Sequence, residues 1–192
     1  MTHDFFGWQA IIFNLACLLT LALEFWLEAR DHDVAASNQD RKTASLINIF
    51  TALALLIGYL AYYNNLWPML ESEKIRFVSS LVLVWSGLFL RFWATRSLGV
   101  FFRSVVIVEP GQKIVSSGPY KYIRHPSYSA ALMVIGGLIL AWNSWLGLAA
   151  LILVLIAYAR RIKVEEKVLV ESFGSDYAAY REHTKKLVPF IY

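Results

Sequence analysis

Long apolar blocks decide what this chain can fold into. They run from Trp8 to Trp26, Leu46 to Trp67, Phe77 to Ala94 and Tyr128 to Tyr158. A helix needs roughly 20 mostly apolar residues to cross the hydrocarbon core of a bilayer, with about 17 as the lower limit. The last block is long enough for two passages and is interrupted only by Asn143-Ser144, between Trp142 and Trp145. Tryptophans bracket a turn in this way at a membrane–water interface. That block is read as a tight helical hairpin with Pro126 and Ala159 as its outer limits, a re-entrant pair being the alternative. Only 17% of the 192 residues are charged, against about a quarter in a soluble domain. The expected fold is therefore an all-α integral membrane protein with about five transmembrane helices.

The flanks agree. Glu24 and Glu28, near the end of the first block, are read as snorkelling toward headgroups. Arg30 to Thr43 is read as a polar loop. Tyr62, Tyr63 and Trp67 form an interfacial aromatic end before Pro68, and Glu71, Glu73, Lys74 and Arg76 a short mixed-charge loop. Arg91, late in the third block, can reach the interface with its long side chain. Cys17, the single cysteine, sits in an apolar run as a packing residue, so neither a disulfide nor a cysteine metal site is expected. With the tail placed in the cytoplasm, 15 of the 18 Lys and Arg fall on the cytoplasmic side. The positive-inside rule thus accounts for the net charge of +4 without nucleic acid. The expected membrane is a bacterial inner membrane or the endoplasmic reticulum.

Two polar stretches stand apart. Ser104 to Val115 holds two β-branched runs around Pro110-Gly111, which suits a type II turn and a small surface hairpin. It leads into Ser116-Ser-Gly-Pro-Tyr-Lys-Tyr-Ile-Arg-His-Pro-Ser-Tyr128, a turn-rich knot directly before the last apolar block. The final span continues past Arg161, Glu165 and Leu169 to Phe173. Gly174 is then read as its stop and Ser175 as the N-cap of a short helix. An antiparallel hairpin brings Arg124, His125, Tyr128, Arg161, Glu165 and Glu166 to one cytoplasmic pocket. Each has a plainer reading. His125 can cap the hairpin, Arg124 can bind lipid phosphate, Arg161 with Glu165 is an i, i+4 salt bridge, and Lys163 with Glu166 a solvated pair. The four histidines (His3, His32, His125 and His183) are scattered, so no metal is expected. A small charged molecule suits the pocket better.

Gly118-Pro-Tyr, Arg124-His-Pro-Ser-Tyr128 and Glu165-Glu166-x-x-Leu169-x-x-x-Phe173-Gly174-x-x-Tyr177-x-x-Tyr180 occur in this order. Together they resemble the isoprenylcysteine carboxyl methyltransferase family, over roughly Leu98 to the C-terminus. The resemblance implies an integral-membrane methyltransferase using S-adenosyl-L-methionine and releasing S-adenosyl-L-homocysteine. Residues 1–97 would hold three transmembrane helices, and 98–192 the catalytic region with a small cytoplasmic cofactor-binding part. The cofactor pocket would comprise Gln112, Lys113, Ile114, Val115, Tyr120, His125, Pro126, Ser127, Tyr128 and Glu165. Arg161 would be the substrate-binding arginine, with Arg160 and Glu166 as neighbouring choices of register. A further family cofactor contact falls on apolar Val105 to Val108 and matches no residue here.

The residue types suit that chemistry. A carboxylate such as Glu165 can pair with the cofactor's ammonium group, and aromatic faces favour its sulfonium. A carboxylate acceptor is already ionised near neutral pH, so no general base, and hence no catalytic residue, is required. Arg161 can offer that carboxylate a planar two-point grip. The expected acceptor is lipid-like or prenylated, with the α-carboxylate of a prenylated cysteine favoured. The alternatives are an amino-headgroup phospholipid, which needs a base, and an NADPH-dependent lipid reductase of related architecture, for which no 2′-phosphate-binding basic cluster is present. A non-enzymatic scaffold or transporter is the rival from outside enzymology.

Overall fold

The computed structural model describes residues 15, 38–103, 105–108 and 111–189. Apart from Leu15, the first expected span (Trp8–Trp26), with Cys17, Glu24 and Glu28, lies outside the described residues. Five α-helices follow: α1 (Asn38–Tyr63), α2 (Glu73–Leu98), α3 (Pro126–Ala141), α4 (Trp145–Phe173) and α5 (Ser175–His183). Single 3₁₀ turns lie at Gly99–Phe101 and Gly118–Lys121. Gln39–Tyr63, Glu73–Phe101 and Trp145–Phe173 are each long and apolar enough to cross a membrane. The 16 residues of α3 reach only about 24 Å at 1.5 Å per residue.

Helix boundaries differ from the apolar blocks, for local reasons. Residues 38–43, expected in a polar loop, form the first turns of α1, with Asp40 buried. At its other end α1 stops at Tyr63, because Asn65 and Trp67 take left-handed φ values of 56° and 45°. Ser72 starts α2 by accepting the Ile75 amide at 3.4 Å, which puts Glu73, Lys74 and Arg76 inside the helix. Ser175 is already helical; Gly174, at φ +54°, separates α4 from α5.

The expected surface hairpin is absent: residues 105–108 and 111–115 form no strand. The Val106 amide instead reaches a side chain on α1, the Asp40 carboxylate, at 3.2 Å. Gly111 has the positive φ, 78°, that the third position of a type II turn demands. Pro110 lies outside the described residues.

The α3–α4 turn is as tight as its sequence suggests. Asn143, at φ +54°, accepts the Met69 and Leu70 amides at 3.0 and 2.7 Å and donates to the Leu70 carbonyl at 2.9 Å. Ser144 caps α4 through the Gly147 amide at 3.0 Å. Beyond this turn each helix of the pair packs chiefly on another partner, though Tyr128 and Tyr158 still meet with ring centroids 5.1 Å apart. The main packing partner of α3 is α2, and that of α4 is α1. Small residues make both crossings. A Cβ on Gly137 would lie 2.7 Å from Val84 Cγ2, and one on Gly147 would lie 2.9 Å from the Gly58 Cα. Close backbone approach of this kind, rather than hydrophobic exclusion from water, associates helices in lipid. On the outer face of α2, Val78, Val82, Trp85, Phe89 and Phe92 form an exposed apolar stripe. Ser80, Val84, Gly87 and Ala94 are the buried residues of that helix. Bulky outside and small inside is the pattern of a lipid-facing helix.

Candidate active site

The turn-rich knot is fixed from two directions. Pro119 and Tyr120 are buried in its 3₁₀ turn, and Tyr180 of α5 donates to the Tyr120 carbonyl at 2.7 Å. The chain after α5 then runs parallel to residues 122–125. Lys185 N donates to the Tyr122 carbonyl at 3.1 Å, Arg124 N to the Lys185 carbonyl at 2.8 Å, and His125 N to the Lys186 carbonyl at 3.0 Å. Pro126 is buried at the first position of α3, where it costs the helix no hydrogen bond.

These ties present His125 to α4. Its ring is stacked on Tyr128, with centroids 5.5 Å apart, and lies between two carboxylates. Nδ1 is 3.4 Å from Glu165 Oε2, and Nε2 is 3.5 Å from Glu166 Oε1. The two glutamates divide their work. Tyr128 Oη donates to Glu165 Oε2 at 2.6 Å, and Glu165 lines a cavity. Glu166 faces away from the cavity, where Arg124 Nε holds it at 2.8 Å and Arg181 lies at 3.9 Å. Arg161 and Glu165, expected as an i, i+4 salt bridge, meet through Tyr128 Oη, which accepts from the one and donates to the other. Arg124 also donates to the Thr184 carbonyl.

Arg161 is 4% exposed, whereas Arg160 is exposed. Its Nε donates to Tyr128 Oη at 3.1 Å, and its Nη1 lies 2.7 Å from Asp40 Oδ1. Asp40 escaped the sequence reading because it was placed in a loop. Its signal was its position three residues ahead of Thr43, just before an apolar helical pattern. Arg91 was also misjudged. It points inward, donates from Nη1 to Ser127 Oγ at 2.5 Å and lies over the Phe102 ring at 5.5 Å.

A cavity of about 740 Å³ joins these groups. Gln112, Lys113, Ile114, Val115, Tyr120, His125, Ser127, Tyr128, Arg161 and Glu165 all line it; Pro126 does not. Val105, Val106 and Ile107 also line it, through an apolar wall that offered the sequence reading no polar residue to find. Its polar end merges into an apolar groove between α1 and α3, lined by Ile47, Leu55, Val134, Ile135, Leu138 and Trp142. The groove stops where the Trp142 ring and Gly147 close on Gly58.

Burial lowers the His125 pKa, but Glu165 and Glu166 outweigh it and hold it above the ordinary value of 6.5. Burial, with Glu165 nearby, pushes the Tyr120 phenol well above its ordinary value, and burial raises Tyr180 to about 12 against the opposing Arg124. Neither phenol is a base near neutral pH. A raised histidine pKa contributes stability below the unfolded value and loses it as pH rises through the folded value. Thermal stability in detergent should therefore fall as pH climbs from about 6.5, by about 1.4 kcal/mol per unit of pKa difference. His125→Asn should flatten that slope; an unchanged slope in the variant would assign it to other groups.

The family model of isoprenylcysteine carboxyl methyltransferases matches residues 80–171. Protein-S-isoprenylcysteine O-methyltransferase B of Arabidopsis thaliana is 31% identical over 151 residues, covering 76% of this chain and 77% of its own. The chain belongs to the isoprenylcysteine carboxyl methyltransferase family. The family's protein-S-isoprenylcysteine O-methyltransferase of Saccharomyces cerevisiae is 27% identical over 190 residues, covering 94% of this chain and 79% of its own. Among solved structures, the fold matches the eukaryotic intramembrane Ras methyltransferase of this family with a TM-score of 0.61 at 24% identity. That match covers 84% of this chain, which spans 56% of the solved one. Family membership and the long apolar helices make this an integral, multi-pass membrane protein.

Proposed function

We propose that the chain transfers a methyl group from S-adenosylmethionine to the carboxylate of a prenylated cysteine. The observation that carries this is the single cavity running from the Glu165–His125–Tyr128 cluster into the apolar groove that ends at Trp142. Bound, the cofactor supplies an electrophilic methyl on a sulfonium. The lining fits such a group: Glu165 offers a carboxylate, 27% exposed, to an ammonium, and Tyr120 and Tyr128 offer aromatic faces to a cation. The extended backbone at Gln112–Val115 offers amide and carbonyl edges to the adenosine.

Arg161 orients the acceptor carboxylate, and the groove receives its tail. From Tyr128 to Trp142 the wall of α3 runs 14 residues, about 21 Å at 1.5 Å per residue. An extended chain advances about 1.25 Å per carbon–carbon bond of about 1.5 Å at a near-tetrahedral angle. The groove therefore has the length of a long isoprenoid. Alignment and exclusion of water supply the rate, since the acceptor is ionised beforehand. A phospholipid amine would need a base, and the site disfavours one: carboxylates raise the His125 pKa, which favours its charged form, and burial raises that of Tyr120. The polar end faces the cytoplasm, which places Arg124, Lys185 and Lys186 on the positive side.

Titration of the purified full chain with S-adenosylhomocysteine should give saturable binding. Incubation with methyl-labelled cofactor should give a base-labile methyl ester on N-acetyl-S-farnesylcysteine. Label found on phospholipid amines, and none on the cysteine, would reverse the choice of acceptor.

A further inference from the structure

Arg161 does not enter the cavity alone. The first turn of α1 holds one edge of its guanidinium: Nη1 lies 2.7 Å from Asp40 Oδ1, 3.3 Å from the Asp40 carbonyl and 3.4 Å from Thr43 Oγ1. Thr43 is itself oriented by donating to that carbonyl at 2.9 Å. Tyr128 fixes Nε at 3.1 Å, so partners on α1 and α3 define the plane of a side chain carried by α4. Asp40 is 1% exposed. A buried carboxylate of this kind is retained only when paired and hydrogen-bonded. Its second oxygen accepts the Val106 amide at 3.2 Å, and Val106 belongs to the segment walling the same cavity.

We infer that Asp40 is a positioning residue for methyl transfer: it aims the Arg161 guanidinium at the acceptor carboxylate and ties that aim to the 105–108 wall. This rests on reading Arg161 as the acceptor contact. Guanidinium recognition of a carboxylate depends on a planar fork in a fixed orientation. An arginine free to swing keeps its charge and loses its aim. Besides walling the groove, α1 therefore contributes an orientation, delivered from a helix that carries none of the family motifs.

The test uses the full chain in lipid nanodiscs, with N-acetyl-S-farnesylcysteine as acceptor. Asp40→Ala should lower kcat/KM for the acceptor about 100-fold, an effect of the size a misplaced binding group produces. S-adenosylhomocysteine affinity should fall far less, within about fivefold, because Asp40 itself does not line the cavity. Asp40→Asn keeps an acceptor for Val106 and removes the charge, so it should fall between wild type and Asp40→Ala and serve if the alanine variant does not fold. Asp40→Glu should recover part of the loss, and Asp40→Ala should add little in an Arg161→Ala background. A purely structural Asp40 would instead lower cofactor affinity and folded yield together and act additively with Arg161→Ala, which overturns the inference. Wild-type acceptor kinetics in the Asp40 variants, beside a damaged Arg161→Ala, would refute the role of Asp40 alone. Unchanged acceptor kinetics in Arg161→Ala would remove the reading of Arg161, and this inference with it.

Discussion

Glu165→Gln is expected to weaken S-adenosylhomocysteine binding by about 2–5 kcal/mol, the range for truncating one partner of a buried charged contact. The amide keeps the size of the side chain and can still accept from Tyr128 Oη, now 2.6 Å from Oε2. What disappears is the charge facing the cavity, and with it the attraction for an ammonium. Glu166→Gln is the control one residue away. Its side chain is 9% exposed and committed to Arg124 at 2.8 Å, and it does not line the cavity. That variant should lose stability, by about 3 kcal/mol for a broken buried ion pair, while its cofactor affinity stays near that of wild type. Calorimetry with both variants at one pH separates the cases. Equal loss of affinity would mean that the cluster acts as a unit and that Glu165 has no private contact.

Gly147→Ala should be a strongly damaging small change at the α1–α4 crossing. Alanine normally stabilises a helix over glycine by about 1 kcal/mol. Here the added Cβ would sit 2.9 Å from the Gly58 Cα and 2.9 Å from Ile139 Cγ2, and the first of these is backbone. The helices α1 and α4 must then separate, at a cost of about 1–3 kcal/mol for overpacking. Gly136→Ala provides the comparison. Its Cβ would meet only Leu83 Cδ2 at 3.6 Å and Leu151 Cδ2 at 3.9 Å, which are ordinary contacts. It should keep or raise the melting temperature in detergent, whereas Gly147→Ala should lower both that temperature and the yield of monodisperse protein. Similar behaviour of the two variants would show that the α1–α4 crossing yields easily.

Much of this was legible in the chain before any coordinates. Apolar block length marked α2 and the α3–α4 turn, because a bilayer imposes the same length on every crossing. The gathering of Arg124, His125, Tyr128, Arg161, Glu165 and Glu166 followed from the hairpin alone. Its internal pairing did not, because i, i+4 spacing says which side chains can meet and not which partners compete for them. Arg161 turned to Asp40, more than a hundred residues earlier, and Glu165 to His125 and Tyr128. The β-branched residues around Pro110 suggested strands, yet Val105, Val106 and Ile107 line the cavity instead. Local propensity lost there to a long-range partner, the Asp40 carboxylate.

The packing of α3 on α2 and of α4 on α1 divides the candidate site between two pairs of helices. The described helices form two arms, α2 with α3 and α1 with α4, joined at the Asn143 turn and sharing one core, in which Ile135 and Ile139 pack with Ala54, Val154 and Tyr158. The Asp40–Arg161 pair lies within one arm. The contacts of His125 and Tyr128 with Glu165 cross from arm to arm. Whatever binds at Glu165 therefore meets side chains carried by both arms at once, at the polar end of a cavity that the two arms enclose together.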